Sequence, residues 1–170
     1  LRIQQHQVFD GLAARDKTST DWFFGFKLHL VFNDRGELLD FILTPGNVHE
    51  IMSLPRLTKR VWGKLFGDKG YISTKMFCEL LESHDVQLIT RLKSNMRNQL
   101  MPLADKMLLR KRAIIETIID QLKNISQIEH TRHRSPIHFL VNVVCGLIAY
   151  CLQPVKPSLG LNVPLALPMA

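Results

Sequence analysis

"WFFGFKLHLVF-NDRG-ELLDFILTPG", Trp22 to Gly46, is the stretch whose reading decides the fold. Phe24, Phe26, Leu28, Leu30 and Phe32 alternate with Phe23, Gly25, Lys27, His29 and Val31, a period of two that gives a strand one strongly apolar face. Asn33-Asp34-Arg35-Gly36 carries turn formers. "ELLDFILT" then reads as the second strand of a hairpin, closed by Pro45-Gly46. Lys27 and His29 share the less apolar face of the first strand and are candidates for a functional role.

Working outward, residues 1–21 are polar with no sustained period and read as an irregular lead-in with at most a helical turn. His49 to Arg60 suits a short helix with Pro55 near its start. Residues 64–68 form a short strand. Ser73 caps a helix running to about His84, with Phe77, Leu80 and Leu81 facing inward. Val86 to Leu92 is the next strand, and Lys93 to Asn98 a basic polar loop. A long helix follows Pro102 and runs to about Ile125. The basic loop "HTRHRSP" (His130 to Pro136) leads into an apolar helix, Ile137 to Leu152, and residues 154–170 are a proline-rich tail. This order is a mixed α/β layout, a hairpin followed by crossovers, with the core over residues 22–153.

The 170 residues, 46% hydrophobic and 22% charged, suit one globular domain. Twenty-two Lys and Arg against 15 Asp and Glu leave a net charge of +7, which favours a polyanionic partner. The three cysteines are odd in number and set in apolar surroundings, so they read as buried, reduced thiols. His130, His133 and His138 lack a cysteine or carboxylate at ligand spacing, which argues against zinc. The apolar helix contains His138 and Asn142 and is short for a bilayer, so no membrane contact is expected.

The chemistry centres on "KLFGDKGY", Lys64 to Tyr71. Asp68 ends a strand between two glycines. An Asp there either forms a turn or, with a partner carboxylate, holds a cation against a substrate. In the long helix Ile114, Ile115, Ile118, Ile119 and Leu122 make the buried arc. Beside it Glu116 lies about 40° and Lys123 about 20° from Arg112 around the axis, which lines up an Arg, a Glu and a Lys. On periodicity alone, surface ion pairing is the better account of that stripe; a site facing Asp68 is the sharper one.

These motifs, in order, resemble the DDE transposases of bacterial insertion sequences. "RAIIETIIDQLK" is similar to the family pattern Tyr-x2-Arg-x3-Glu-x6-Lys, with Leu109 at the Tyr position. "GDKGY" resembles the second-acid motif, and "GFKLHLVFNDRGELL…TPGNVHE" the hairpin and the helix after it. The likeness covers roughly residues 5 to 160. It implies a ribonuclease-H-like mixed sheet with flanking helices, and metal-dependent DNA cleavage and strand transfer using Mg²⁺, with Mn²⁺ as the alternative. Asp68 and Glu116 would be the catalytic, metal-holding acids, and Arg112 and Lys123 the DNA-phosphate contacts. Lys27, His29, Lys69, Arg132 and Arg134 are further candidates. The implied partners are insertion-sequence ends and target DNA, and a second copy or an intact transposase, in a bacterial cytoplasm at the nucleoid.

In that family the first acid lies on a central strand upstream of the hairpin. Nothing before Trp22 reads as such a strand, and Asp10, Asp16 and Asp21 sit in polar or loop-like sequence. The resemblance therefore implies a C-terminal part of a transposase, its first, central strand missing, that is inactive alone. Two rival readings are a non-catalytic basic DNA-binding remnant and a metal-dependent nuclease that does not transpose.

Overall fold

The computed structural model describes residues 7–18, 21–92, 96, 100–129 and 133–161. The hairpin forms as its alternation requires. β1 (Ala14–Lys17), β2 (Trp22–Phe32) and β3 (Leu38–Pro45) make an antiparallel sheet. β3 pairs with β2 from Phe26↔Pro45 to Phe32↔Leu38, and β1 pairs with its start, Ala14↔Gly25 to Lys17↔Trp22. At the hairpin turn Gly36 takes φ 72°, and a Cβ there would stand 2.1 Å from the Pro157 carbonyl oxygen. Only glycine meets both conditions.

A short helix α1 (Leu54–Leu57) precedes the second sheet, in which β4 (Gly63–Gly67) and β5 (Val86–Thr90) run parallel from Gly63↔Val86 to Gly67↔Thr90. The crossover between them is α2 (Thr74–His84). Its first turn is capped by Ser73 Oγ, which accepts from Met76 N, and it ends at Asp85 in the left-handed conformation. α3 (Leu103–Lys111), α4 (Ile114–Asn124) and α5 (Pro136–Cys151) follow, α5 opening with a proline at its first position.

The apolar face of β2 and β3 packs against α4 and α5, with Ile118, Leu122, Val143, Leu147 and Tyr150 at the centre. The rings of Phe9, Phe26 and Phe139 close one end, their centroids 5.0–5.7 Å apart. Leu54, Leu80, Val86 and Leu88 form a separate, smaller core under β4 and β5. The fold is thus mixed α/β. No helix among the described residues is long and apolar enough to cross a membrane.

Several expectations need correction. The lead-in is not irregular, because β1 gains its backbone partners from β2 and Phe9 is buried in the main core. The stretch expected as one helix after Pro102 is two, joined by a tight turn at Arg112 and Ala113 in which Ile115 N donates to Arg112 O and Glu116 N to Ala113 O. All three cysteines are exposed, since the inward positions of α2 and α5 are taken by Leu80 and by Val143, Leu147 and Tyr150. On α2 only Leu80 is buried, while Phe77 and Leu81 are exposed.

Candidate active site

Asp68 follows the last residue of β4. Its Oδ1 accepts from Lys69 N at 2.7 Å and caps the single 3-10 turn Lys69–Tyr71. The turn-forming reading of this acid therefore holds, but it uses one oxygen, and the side chain remains 60% exposed. Gly67 keeps the strand end tight: a Cβ there would lie 3.3 Å from Leu88 Cδ1. Gly70 brings the turn close to Glu50: a Cβ there would stand 2.0 Å from Glu50 Oε2, the end of a flexible side chain. Any larger residue would drive the Glu50 carboxylate off the turn.

Tyr71 anchors the same turn from inside. Its hydroxyl shares a hydrogen bond of 3.4 Å with His29 Nδ1, and His29 Nε2 shares one of 2.9 Å with Thr44 Oγ1. Strands β2 and β3 thus reach the Asp68 turn through a buried imidazole. Burial, with the negative charges of Glu50 and Asp68, pushes the Tyr71 phenol up to about 12. Burial and then the positive charge of Lys27 hold His29 below the usual histidine range.

Glu116 sits in the first turn of α4, where the helix dipole favours an acid, and its side chain is 72% exposed. Arg112, at the turn between α3 and α4, is more enclosed. Its Nη2 lies 3.8 Å from Asp68 Oδ1 and 3.9 Å from Glu116 Oε1. The two acid oxygens can therefore be no further apart than the sum of those distances, 7.7 Å. Asp68, Arg112 and Glu116 converge from two sheets' worth of chain onto one exposed spot.

Of the remaining candidates Lys69 adjoins Asp68, and the others lie elsewhere. Lys123 pairs with Glu129 at 2.6 Å, about two turns along α4 from Glu116. Lys27 pairs with Asp16 at 2.5 Å and donates to the Val48 carbonyl at 3.4 Å; that pairing holds the Asp16 carboxyl below its usual range. Lys69 and Arg134 are exposed, and Arg132 lies outside the described residues. Sequence reasoning missed Glu50 and Tyr71 as neighbours of Asp68. It also missed Lys64, which holds the buried Asp105 at 2.7 Å and ties β4 to α3. The Tyr71 position within "GDKGY" was the one available signal.

A groove of about 950 Å³ reaches Glu50 and Tyr71 beside the Asp68 turn, without Asp68, Arg112 or Glu116 in its lining. Eight consecutive residues of β2, Phe23 to Leu30, line it together with Glu50, Tyr71, Lys123 and Glu129. Because successive side chains point to opposite faces, a lining of consecutive residues reaches the edge of the strand, which β1 covers at Phe23 to Gly25 and leaves from Phe26 on. From Phe26 to Phe32 β2 has β3 as its sole strand partner among the described residues, and β4 has β5 alone. Among the described residues no group of three or more His, Cys, Asp or Glu could hold a metal ion.

The family model of the transposase DDE domain matches residues 1–136. The chain belongs to that family. Neither a curated protein nor a solved structure matches it.

Proposed function

We propose that this chain carries the DNA cleavage and strand-transfer site of an insertion-sequence transposase, with Asp68 and Glu116 as two of its acids and Arg112 as the phosphate-binding group. The observation that carries this reading is the Arg112 guanidinium set within 4 Å of both carboxylates. Two exposed acids this close repel, and the arginine offsets that repulsion in the absence of DNA. A phosphodiester arriving at the spot offers Arg112 a bidentate partner and releases both acids. Their hard oxygens fit Mg²⁺ or Mn²⁺ as part of a ligand set. A divalent ion bound there supplies Lewis acidity for an in-line displacement at phosphorus.

Two carboxylates do not complete such a set, and the third belongs on a strand seated in the groove. Such a strand would satisfy the free backbone groups of β2 and β4 and join the two sheets into one ribonuclease-H-like sheet. Its end would reach the turn that holds Asp68, past Tyr71. Residues 1–170 alone are then expected to bind duplex DNA weakly, with affinity falling steeply as salt rises, and to be inactive in cleavage.

The test is cleavage and strand transfer on insertion-sequence ends by this chain extended with the upstream segment of an intact relative. Activity in Mg²⁺ that disappears in Asp68→Asn and in Glu116→Gln, both still folded by circular dichroism, is the expected result. Cleavage that survives either substitution removes the assignment. Cleavage without strand transfer identifies a nuclease instead.

A further inference from the structure

α5 presents two apolar stripes on opposite sides. Phe139, Val143, Gly146, Leu147 and Tyr150 are buried in the core. The outer stripe, Ile137, Val141, Val144, Ile148, Cys151 and, just past the helix, Val155, recurs at alternating steps of four and three residues. That step pattern is the seam of two helices packed knobs into holes. The apolar members of this face, with Leu140 and Leu152, are between 39% and 83% exposed. Monomeric proteins rarely leave a contiguous apolar patch of this extent in water.

We propose that the outer face of α5 is a self-association surface that takes α5 of a second copy of this chain. Three features favour a copy over other occupants. Residues 136–151 contain no Asp, Glu, Lys or Arg in a chain of net charge +7, so this is a face on which two copies meet without like-charge repulsion. The helix is too short to cross a membrane. The exposed side chains present on the order of 500 Å² per copy, so two faces bury roughly 1,000 Å², the area at which a specific interface begins.

Val144 is the midpoint of the stripe from Ile137 to Cys151. A two-fold axis through it, with the helices antiparallel, sets Ile137 of each copy near Cys151 of the other, the self-complementary arrangement that an isologous dimer requires. The surface is independent of the DNA chemistry, so an inactive site would leave it standing.

The experiment is the mass in solution of the 170-residue chain by sedimentation velocity at about 10 μM, a concentration that populates a complex of micromolar Kd. A dimer is expected. Val144→Lys with Ile148→Lys should give a monomer with an unchanged far-ultraviolet spectrum, since both positions face outward. A chain with all three cysteines replaced by serine and Val144→Cys added should form a covalent dimer on mild oxidation. A monomeric parent chain, a double-lysine variant that stays dimeric, or a Val144→Cys chain that does not cross-link overturns the proposal.

Discussion

The half built on β2, β3, α4 and α5 and the half built on β4, β5 and α2 have separate apolar cores of different size. The first packs Ile118, Leu122 and Tyr150 at 0–1% exposure beneath a broad apolar sheet face. The second rests on four buried side chains, Leu54, Leu80, Val86 and Leu88. Glu116 belongs to the first half and Asp68 to the second. Polar side chains link them: His29 to Tyr71 and Arg112 to Asp68. The Arg112 pairs have exposed partners and contribute little energy, so the two acids are held near each other more weakly than either core is held together. That weaker hold lets the site adjust around a phosphate and a cation.

Core truncation breaks this comparison most strongly. Ile118→Ala and Leu80→Ala each remove a fully buried aliphatic side chain and should each cost about 2–5 kcal/mol in urea denaturation. Hydrogen exchange separates the halves: Leu80→Ala should release amides of β4 and β5 while β2 and β3 stay protected. Equal loss of protection in all four strands would show one cooperative unit.

Tyr150→Phe comes next. Its buried hydroxyl donates to the Gly36 carbonyl at 2.6 Å and fixes the hairpin turn to α5. Loss of about 1–2 kcal/mol is expected, read in the urea midpoint, with no change in the exchange of β4 and β5. A neutral outcome would mean that water replaces the bond.

The link between the halves should report through pH. The Tyr71 phenol is raised from 10.0 to about 12, so the folded state holds its proton longer than the unfolded chain. Stability from this group is present below pH 10 and is lost as pH rises toward 12. His29 moves the other way, from 6.5 downward. The unfolded chain binds the proton first, so stability is lost as pH falls below 6.5. Thermal unfolding of Tyr71→Phe should lack part of the alkaline loss, and that of His29→Gln part of the acid loss. Curves that match the parent at both ends would dissolve the proposed tether.

Arg112→Ala should have the smallest effect on stability, within about 0.5 kcal/mol, because both its partners are exposed. Its effect on DNA binding should stand out against that background. The slope of log affinity against log salt should fall by about 1, measured by fluorescence anisotropy on random duplex. An unchanged slope would take Arg112 out of the phosphate contacts.

What the sequence alone determined are features encoded within a few residues of themselves. The alternation from Phe23 to Phe32 gave the hairpin strand, because a strand repeats every two residues. Ser73 marked the start of α2, and "GDKGY" marked an acid at a strand end. The turn at Arg112 and Ala113 left no such mark: both residues keep helical φ and ψ near −52° and −19°, and neither is glycine or proline. β1 was illegible because "ARDK" has no strand period and becomes a strand only against β2. The tie between His29 and Tyr71 spans 42 residues, and the approach of Asp68 and Glu116 to one guanidinium joins a strand end to a helix start. Such contacts follow from how the closed halves meet, and that is fixed by the packing of distant side chains, which no local period encodes. Tertiary structure alone therefore decided that Asp68 meets the Arg112–Glu116 pair, and which face of α5 was left in water.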